Sequence, residues 1–239
     1  MLYIIAILTA LAAYLIGSIS GAIILSRKIS GEDIRCEGSK NAGTTNMLRV
    51  HGKKAAVFTL LIDVLKGVAA TLIGVAIDRY ILKNGAYGAF ESTYLLGSMK
   101  YIAAVFAVIG HDFPIYFGLK GGKGVATSIG VVLVLDWKIG LIVLAAALII
   151  MFTTRYVSLG SISAAVIYVC SVAVYMVAKG KLNIPYFICA LILCLLIIVK
   201  HHANIVRLKN REENKLSFKS KNKEVRNNTS DTIKKGENV

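Results

Sequence analysis

From Met1 to Leu25 the chain carries no charged side chain, and its first bases, Arg27 and Lys28, follow the apolar run instead of preceding it. A helix needs roughly 20 apolar residues to cross the hydrocarbon core of a bilayer, and this stretch is long enough. A cleaved secretory leader puts its bases in front and a small-residue cleavage site behind, so the order reads as a retained span with an outside N-terminus. Six more apolar runs follow, at Ala55 to Ile77, Thr93 to Val108, Gly124 to Leu135, Ile139 to Phe152, Val157 to Ala178 and Ile184 to Val199. With 56% of 239 residues hydrophobic and a mean hydropathy of +0.68, the expected fold is an all-α membrane protein with seven transmembrane helices.

The formal charge of +15 would suit a nucleic-acid binder if it were clustered on one soluble face, but it is distributed by topology. An outside N-terminus puts loops 26–54, 109–123 and 153–156, and everything from Lys200 onward, on the cytoplasmic side. Those segments hold 21 of the 28 Lys and Arg residues, against 5 in the outer loops (Arg79, Lys83, Lys138, Lys179, Lys181). This is the positive-inside pattern, and it puts the C-terminus in the cytoplasm. The basicity is read as orientation signal and attraction to anionic lipid headgroups, not as nucleic-acid recognition. Residues 1–209 form the expected membrane domain. Residues 210–239 are polar, basic and without apolar periodicity, and read as a flexible tail. Cys36, Cys170, Cys189 and Cys194 contain no C-x-x-C; three lie in apolar runs and read as small buried hydrophobes, with no disulfide framework and no metal site implied.

Four cytoplasmic segments carry polar chemistry. The first is "SRKISGEDIRCEGSKNAGTTNMLRVHGKKAA", in which Gly38, Ser39, Asn41, Gly43, Thr44, Thr45, Asn46 and Arg49 gather hydroxyl, amide, guanidinium and glycine NH donors suited to an anion. Its length exceeds that of ordinary connections, and Ile34, Met47, Leu48 and Val50 let it fold back on the bundle. The second is "GHDFPIYFGLKGGKGVATSIG", where Gly121, Gly122 and Gly124 surround Lys123 before an apolar helix, a turn suited to holding phosphate at a helix N-terminus. A Walker A reading is excluded: Phe117 stands five residues before Gly122, and Gly124 follows Lys123 where a magnesium-binding hydroxyl is required. "TTRYVSLGSIS" adds Arg155 and Ser158. "KHHANIVRLKNR" adds Lys200, His201, Asn204 and Arg207, spaced for one helical face. Any one of these is an ordinary helix end with snorkelling bases; four at one side of a bundle suggest a common anionic ligand. Within a span, Asp63 and Lys66 stand at i and i+3 and read as a mutual ion pair, with a proton or substrate relay as the alternative.

"GSISGAIILS", "GSKNAGTTNMLR", "LIDVLKG", "GHDFPIYFGLKGGKGVAT", "TRYVSLGSIS" and "KHHANIVRL" occur in an order and spacing that resemble the bacterial acyl-phosphate:glycerol-3-phosphate acyltransferase family, PlsY, over about Tyr14 to Leu208. The resemblance implies a seven-helix inner-membrane enzyme with its active site at the cytoplasmic face. It implies transfer of a fatty acyl group from acyl phosphate to the 1-hydroxyl of glycerol 3-phosphate, giving lysophosphatidic acid and phosphate, the first acylation step of phospholipid biosynthesis. No cofactor or metal is implied, and a soluble acyl-phosphate synthase is a plausible transient partner. Carried over by position, the catalytic set is Ser39, Arg49, Lys123, Ser158, His201 and Asn204. The substrate- and phosphate-binding set is Gly38, Asn41, Gly43, Thr45, Asn46, Gly121, Gly122 and Gly124. Two departures stand inside the first motif, Lys40 where the family usually has Gly and Thr44 where it has Ala.

The reaction suits this inventory. Two phosphate-bearing substrates call for Arg, Lys and NH donors, and acyl phosphate is a mixed anhydride whose leaving group departs without strong acid assistance. Donors at the mouth are then free to stabilise the oxyanion on the attacked carbonyl. No H-x-x-x-x-D occurs, so a His-Asp acyltransferase mechanism is unsupported; proton removal is expected to be shared between a substrate phosphate oxygen and a polar partner such as His201. A transporter for an organophosphate is the competing class, but it would put its polar site near the midplane on repeated, interrupted helices.

Overall fold

The structure is a computed structural model and describes residues 2–84 and 97–216. Among these the fold is entirely helical: α1 Leu2–Gly17, α2 Gly21–Ser30, α3 Thr44–Val50, α4 Gly52–Asn84, α5 Met99–Asp112, α6 Val125–Leu135, α7 Trp137–Thr154, α8 Val157–Lys179, α9 Ile184–Lys200 and α10 His202–Lys209. Four stretches are long and apolar enough to cross a membrane: Leu2–Ser30, Gly52–Asn84, Trp137–Thr154 and Val157–Lys179. A fifth is gained if α9 and α10, bent by 60° at His201, count as one span. Outward-facing Ile4, Ile7, Leu8, Phe58, Leu65, Ile149 and Val174 give these helices an apolar exterior.

The seven expected runs are helical in their described parts, with shifted ends, but α5 and α6, at 14 and 11 residues, are shorter than a full crossing. The uncharged N-terminal run breaks at Ser18–Ser20, where Ser18 Oγ donates to Tyr14 O and Ser20 Oγ caps α2 by accepting from Ile23 N. The run expected at Thr93 to Val108 begins outside the described residues, and its described part is α5. Of the cysteines, Cys189 and Cys194 are buried as expected, whereas Cys170 in α8 faces outward and Cys36 is exposed in the first loop.

Small residues set the helix contacts. A Cβ at Gly17 would stand 2.1 Å from Ala107 O, and one at Gly110 would stand 2.3 Å from Tyr14 O, so α1 and α5 cross at backbone contact. Gly67 of α4 meets Thr127 O of α6, and Gly130 of α6 meets Val64 O in return. In lipid, packing of this kind substitutes for a hydrophobic driving force between helices. The long first loop folds as its apolar residues foretold: Ile34 and Met47 are fully buried with Ala22, Ile23, Ala42, Ala55 and Ala56, and Leu48 and Val50 pack against them.

Candidate active site

Each polar segment is fixed by its own local chemistry before it meets the others. In the first loop, Asp33 receives Arg35 Nη2 and Arg27 Nη2, each at 2.8 Å. The Arg35 guanidinium above all holds its carboxyl well below the usual carboxylate range, against the opposing effect of burial. Arg35 Nη1 also donates to Phe117 O at 2.6 Å and Lys120 O at 2.8 Å, which binds the first polar loop to the second. Asn46, 1% exposed, organises the interior of the motif: its Oδ1 accepts from Ser39 N, and its Nδ2 donates to Ile34 O and Glu37 O. Gly38, at φ 58°, leaves no room for a side chain against Asn46. Both were expected to bind substrate. Gly38 is absent from the cavity wall, and Asn46, which does touch the cavity, has its amide committed to holding Ser39 in place.

The glycine-rich loop departs further from expectation. Gly121 N donates to Asp112 O and Gly122 N to His111 O, so these amides close onto the end of α5 and are not left for a ligand. A Cβ at Gly122 would fall 2.1 Å from His111 Nε2 and 2.7 Å from Ala42 O, and one at Gly121 would fall 2.0 Å from His111 O. Gly124 has a φ of 73° and packs on Val108. None of the three lines the cavity; their absent side chains let both loops lie on α5 and aim Lys123 inward. The uncapped first turn of α6 does border the cavity, at Val125 and Ala126.

His111 sits on a buried charged cluster. Lys66 Nζ lies 2.8 Å from Asp63 Oδ1, 2.8 Å from His111 Nδ1 and 2.6 Å from Ile19 O. The expected Asp63–Lys66 pair is therefore present, with two further partners for the ammonium. The same Nδ1 stands 3.4 Å from Asp63 Oδ1, so the His111 ring meets both members of the pair.

The remaining groups come from α8, α10 and the chain beyond it. Glu213 accepts from Ser158 Oγ (2.9 Å) and Asn204 Nδ2 (2.6 Å) through Oε1, and from Arg207 Nε (2.8 Å) through Oε2. Asn204 Oδ1 accepts from Lys123 Nζ. Leu216 N donates to Arg155 O at 2.7 Å, which secures the returning segment. Arg155 ends α7 at φ 62° and does not line the cavity. His201 stands at the α9–α10 bend with Nδ1 2.8 Å from Ile197 O, leaving Nε2 as the free acceptor of the ring.

One cavity of about 770 Å³ collects these segments. Ser39, Asn41, Gly43, Thr45, Asn46, Arg49, Lys123, Ser158, His201 and Asn204 all line it, so ten of the fourteen residues singled out from sequence meet in one place. Lys40, Thr44, Asp63, His111, Lys200, Arg207 and Glu213 add to its polar wall, with Ser128, Ser161 and Asn214. Glu213 was missed because "REENK" is indistinguishable from a solvated tail until the chain folds back. Lys40 holds φ 57°, a left-handed backbone that glycine adopts more readily than lysine, in keeping with the glycine the resemblance implies here.

The mouth is short of negative charge. Burial pushes Lys123 down to about 8; Glu213 opposes the shift, and Arg207, Arg49 and Lys200 reinforce it. Burial also lowers Arg49, with Arg207 adding repulsion and Glu213 offsetting it. Burial works against the Glu213 carboxylate, but hydrogen bonds from Asn204, Arg207 and Ser158 hold it below its ordinary value. A cluster of cations facing one carboxylate is built to receive a multivalent anion.

The sequence profile of glycerol-3-phosphate acyltransferases matches residues 7–211. The chain belongs to that family. The glycerol-3-phosphate acyltransferase of Thermoanaerobacter pseudethanolicus is 43% identical over 215 residues, covering 90% of this chain and 98% of the relative. That of Clostridioides difficile is 42% identical over 213 residues, covering 89% and 96%. Among solved structures, PlsY (YgiH), an integral membrane glycerol 3-phosphate acyltransferase, superposes in its glycerol 3-phosphate form with a TM-score of 0.73 at 32% identity, covering 89% of this chain and 96% of that one. Its lysophosphatidic acid form gives 0.69 at 31% identity. This PlsY-family chain is accordingly an acyltransferase embedded in a membrane through several apolar helices.

Proposed function

We propose that this enzyme moves a fatty acyl group from acyl phosphate to the 1-hydroxyl of glycerol 3-phosphate, yielding lysophosphatidic acid and inorganic phosphate, the first acylation of phospholipid biosynthesis. It works at the cytoplasmic face of the bacterial inner membrane, in a domain spanning residues 1–209 that crosses seven times with the N-terminus outside. The distribution of 21 basic residues against 5 supports that orientation. The polar tail, 210–239, contributes Glu213 to the wall of the site. A soluble acyl-phosphate synthase supplies the donor.

The observation that carries this reading is the two-sided cavity, with hydroxyl, amide and cationic groups at one end and an apolar wall from α6 to α9 at the other. A headgroup with a fatty tail needs both. The related PlsY structures in glycerol 3-phosphate and lysophosphatidic acid forms match the acceptor and product of the reaction. Arg49 and Lys123 hold the phosphates, and Ser39, Asn41, Thr45, Ser158 and Asn204 orient them with hydrogen bonds. The acceptor oxygen attacks the acyl carbonyl carbon, the carbon–oxygen bond to phosphate breaks, and the acceptor proton passes to a phosphate oxygen with His201 Nε2 as its polar partner. Alignment of two bound reactants supplies much of the acceleration. A transporter is disfavoured because the donors crowd one end of the helices.

Purified protein in liposomes, given glycerol 3-phosphate with acyl phosphate, acyl-CoA or acyl carrier protein, tests the reading. Lysophosphatidic acid formed from acyl phosphate is the expected result. Product from acyl-CoA alone would overturn the donor, and glycerol 3-phosphate accumulating inside without product would overturn the enzyme class. If His201→Ala abolishes turnover without weakening glycerol 3-phosphate binding, a dedicated histidine base replaces the shared proton transfer.

A further inference from the structure

The cavity continues from the charged mouth as an arm between α6, α7, α8 and α9. Small residues, Ala147 on α7 and Ala164 and Ala165 on α8, leave this arm unfilled, and Gly140 lets α7 lie close on Leu133 of α6. Its two ends differ in enclosure. Near the mouth the wall includes Leu148 and Phe152, 39% and 60% exposed, so a chain can enter sideways from the lipid; at the far end Val132, Tyr168 and Leu193 are 6%, 3% and 1% exposed. Tyr168 closes that end with backing, because it belongs to the same buried cluster as the stacked Tyr101–Tyr186 pair, whose rings lie 5.4 Å apart.

We propose that Tyr168 is a steric stop that sets the length of acyl chain the enzyme accepts, with Ala165 lining the last turn before it. The proposal rests on the acyl-phosphate reading given above. Depth follows from helix geometry: ten residues of α8 separate Ser158 from Tyr168, about 15 Å at a rise of 1.5 Å per residue. An extended saturated chain with bonds of about 1.5 Å advances about 1.3 Å per carbon, so this depth takes about 12 carbons beyond the mouth. A steric stop is the physical means of discrimination available here. Lipid tails are as apolar as the arm, so moving a chain from bilayer to arm gains little from hydrophobicity. Acceptance should therefore be flat in chain length until the terminal methyl reaches Tyr168, and then fall tenfold or more, as overpacking a rigid core does.

The experiment measures kcat/KM over acyl phosphates of increasing length in liposomes for wild type, Tyr168→Ala, Tyr168→Phe and Ala165→Leu. Tyr168→Ala should move the break to longer chains. Tyr168→Phe should leave it in place, and Ala165→Leu should move it about 3 carbons shorter, the rise of about 4.5 Å over the three helical residues from Ala165 to Tyr168. Ala165→Leu keeps the test valid if the Tyr168→Ala cavity lowers stability, since it removes nothing from the core. Active variants whose breaks coincide with that of wild type overturn the stop and mean that the tail leaves through the Leu148–Phe152 side. Failure of the donor reading looks different: wild type is then inactive with acyl phosphate at every length, and the same series is run with the acyl donor that does react.

Discussion

Raising the pH past 8 should weaken substrate capture before it weakens turnover, because of the surroundings of Lys123. Burial, assisted by Arg207, Arg49 and Lys200, takes this lysine from 10.5 to about 8 despite the nearby Glu213 carboxylate. At 1.36 kcal/mol per pH unit the shift is about 3 kcal/mol against the ammonium in the free enzyme. Phosphate monoesters have a second pKa near 6, so glycerol 3-phosphate stays a dianion above pH 7 and contributes no limb there. Arg49 remains protonated throughout, and Glu213, held below its ordinary value, is already ionised. Lys123 is thus the mouth group that titrates in this window. Since kcat/KM reports the free enzyme, it should fall about tenfold per unit above pH 8. A bound phosphate dianion raises the lysine again, so kcat should hold to higher pH. Lys123→Arg, charged at every accessible pH, should lose activity overall yet lose the limb near 8 as well. The assay is steady-state acyl transfer from pH 6.5 to 9.5. A wild-type kcat/KM flat to pH 9.5, or a limb that survives in Lys123→Arg, refutes the reasoning. Stability carries the opposite sign: a lysine with a folded pKa below its unfolded value binds fewer protons when folded, so this residue adds stability as pH rises from about 8 to 10.5, and Lys123→Met should lack that increment in a Tm series.

Arg49→Ala should lower kcat/KM by at least tenfold, from loss of a charged hydrogen bond worth about 1.5 to 3 kcal/mol, with little change in Tm; near-wild-type activity would remove Arg49 from the site. Truncation after Leu216 should leave melting unchanged. Truncation after Asn210 still inserts but releases Ser158, Asn204 and Arg207 from Glu213, so its activity should drop and its melting temperature fall; equal behaviour of the two would deny Glu213 its clamp. Lys66→Met leaves the Asp63 carboxylate buried without its ammonium and should destabilise by about 3 to 5 kcal/mol, measured by thermal unfolding in detergent. Gly122→Ala forces a methyl into the His111 ring and Ala42 O, so kcat/KM should collapse; wild-type activity would mean that the two loops are not locked there.

Much of this molecule was legible because its solvent leaves few choices. Runs of apolar residues must be helices in lipid, since every backbone donor and acceptor needs an internal partner. Charge placement, apolar periodicity and motif spacing therefore identified the helices and the polar segments, including the loop around Ser39 and Arg49 and the pair Asp63 and Lys66. What the sequence could not assign was the job of each residue inside a motif. Gly121, Gly122 and Asn46 look like ligand donors in a linear reading, yet their hydrogen-bonding groups are committed to α5 and to the first loop. Glu213 reads as tail and proves to tie three site residues together.

By itself the amino-acid order determined that the chain is a helical membrane protein with four donor-rich segments toward one side, because hydropathy and charge act locally and leave a local signature. Only the tertiary structure decided that Ser39, Arg49, Lys123 and Asn204 face one cavity, that an apolar arm ends at Tyr168, and that His111 underlies the glycine loop. Those facts depend on how closely helices approach, which small residues permit but do not dictate, so they exist only once distant segments have packed.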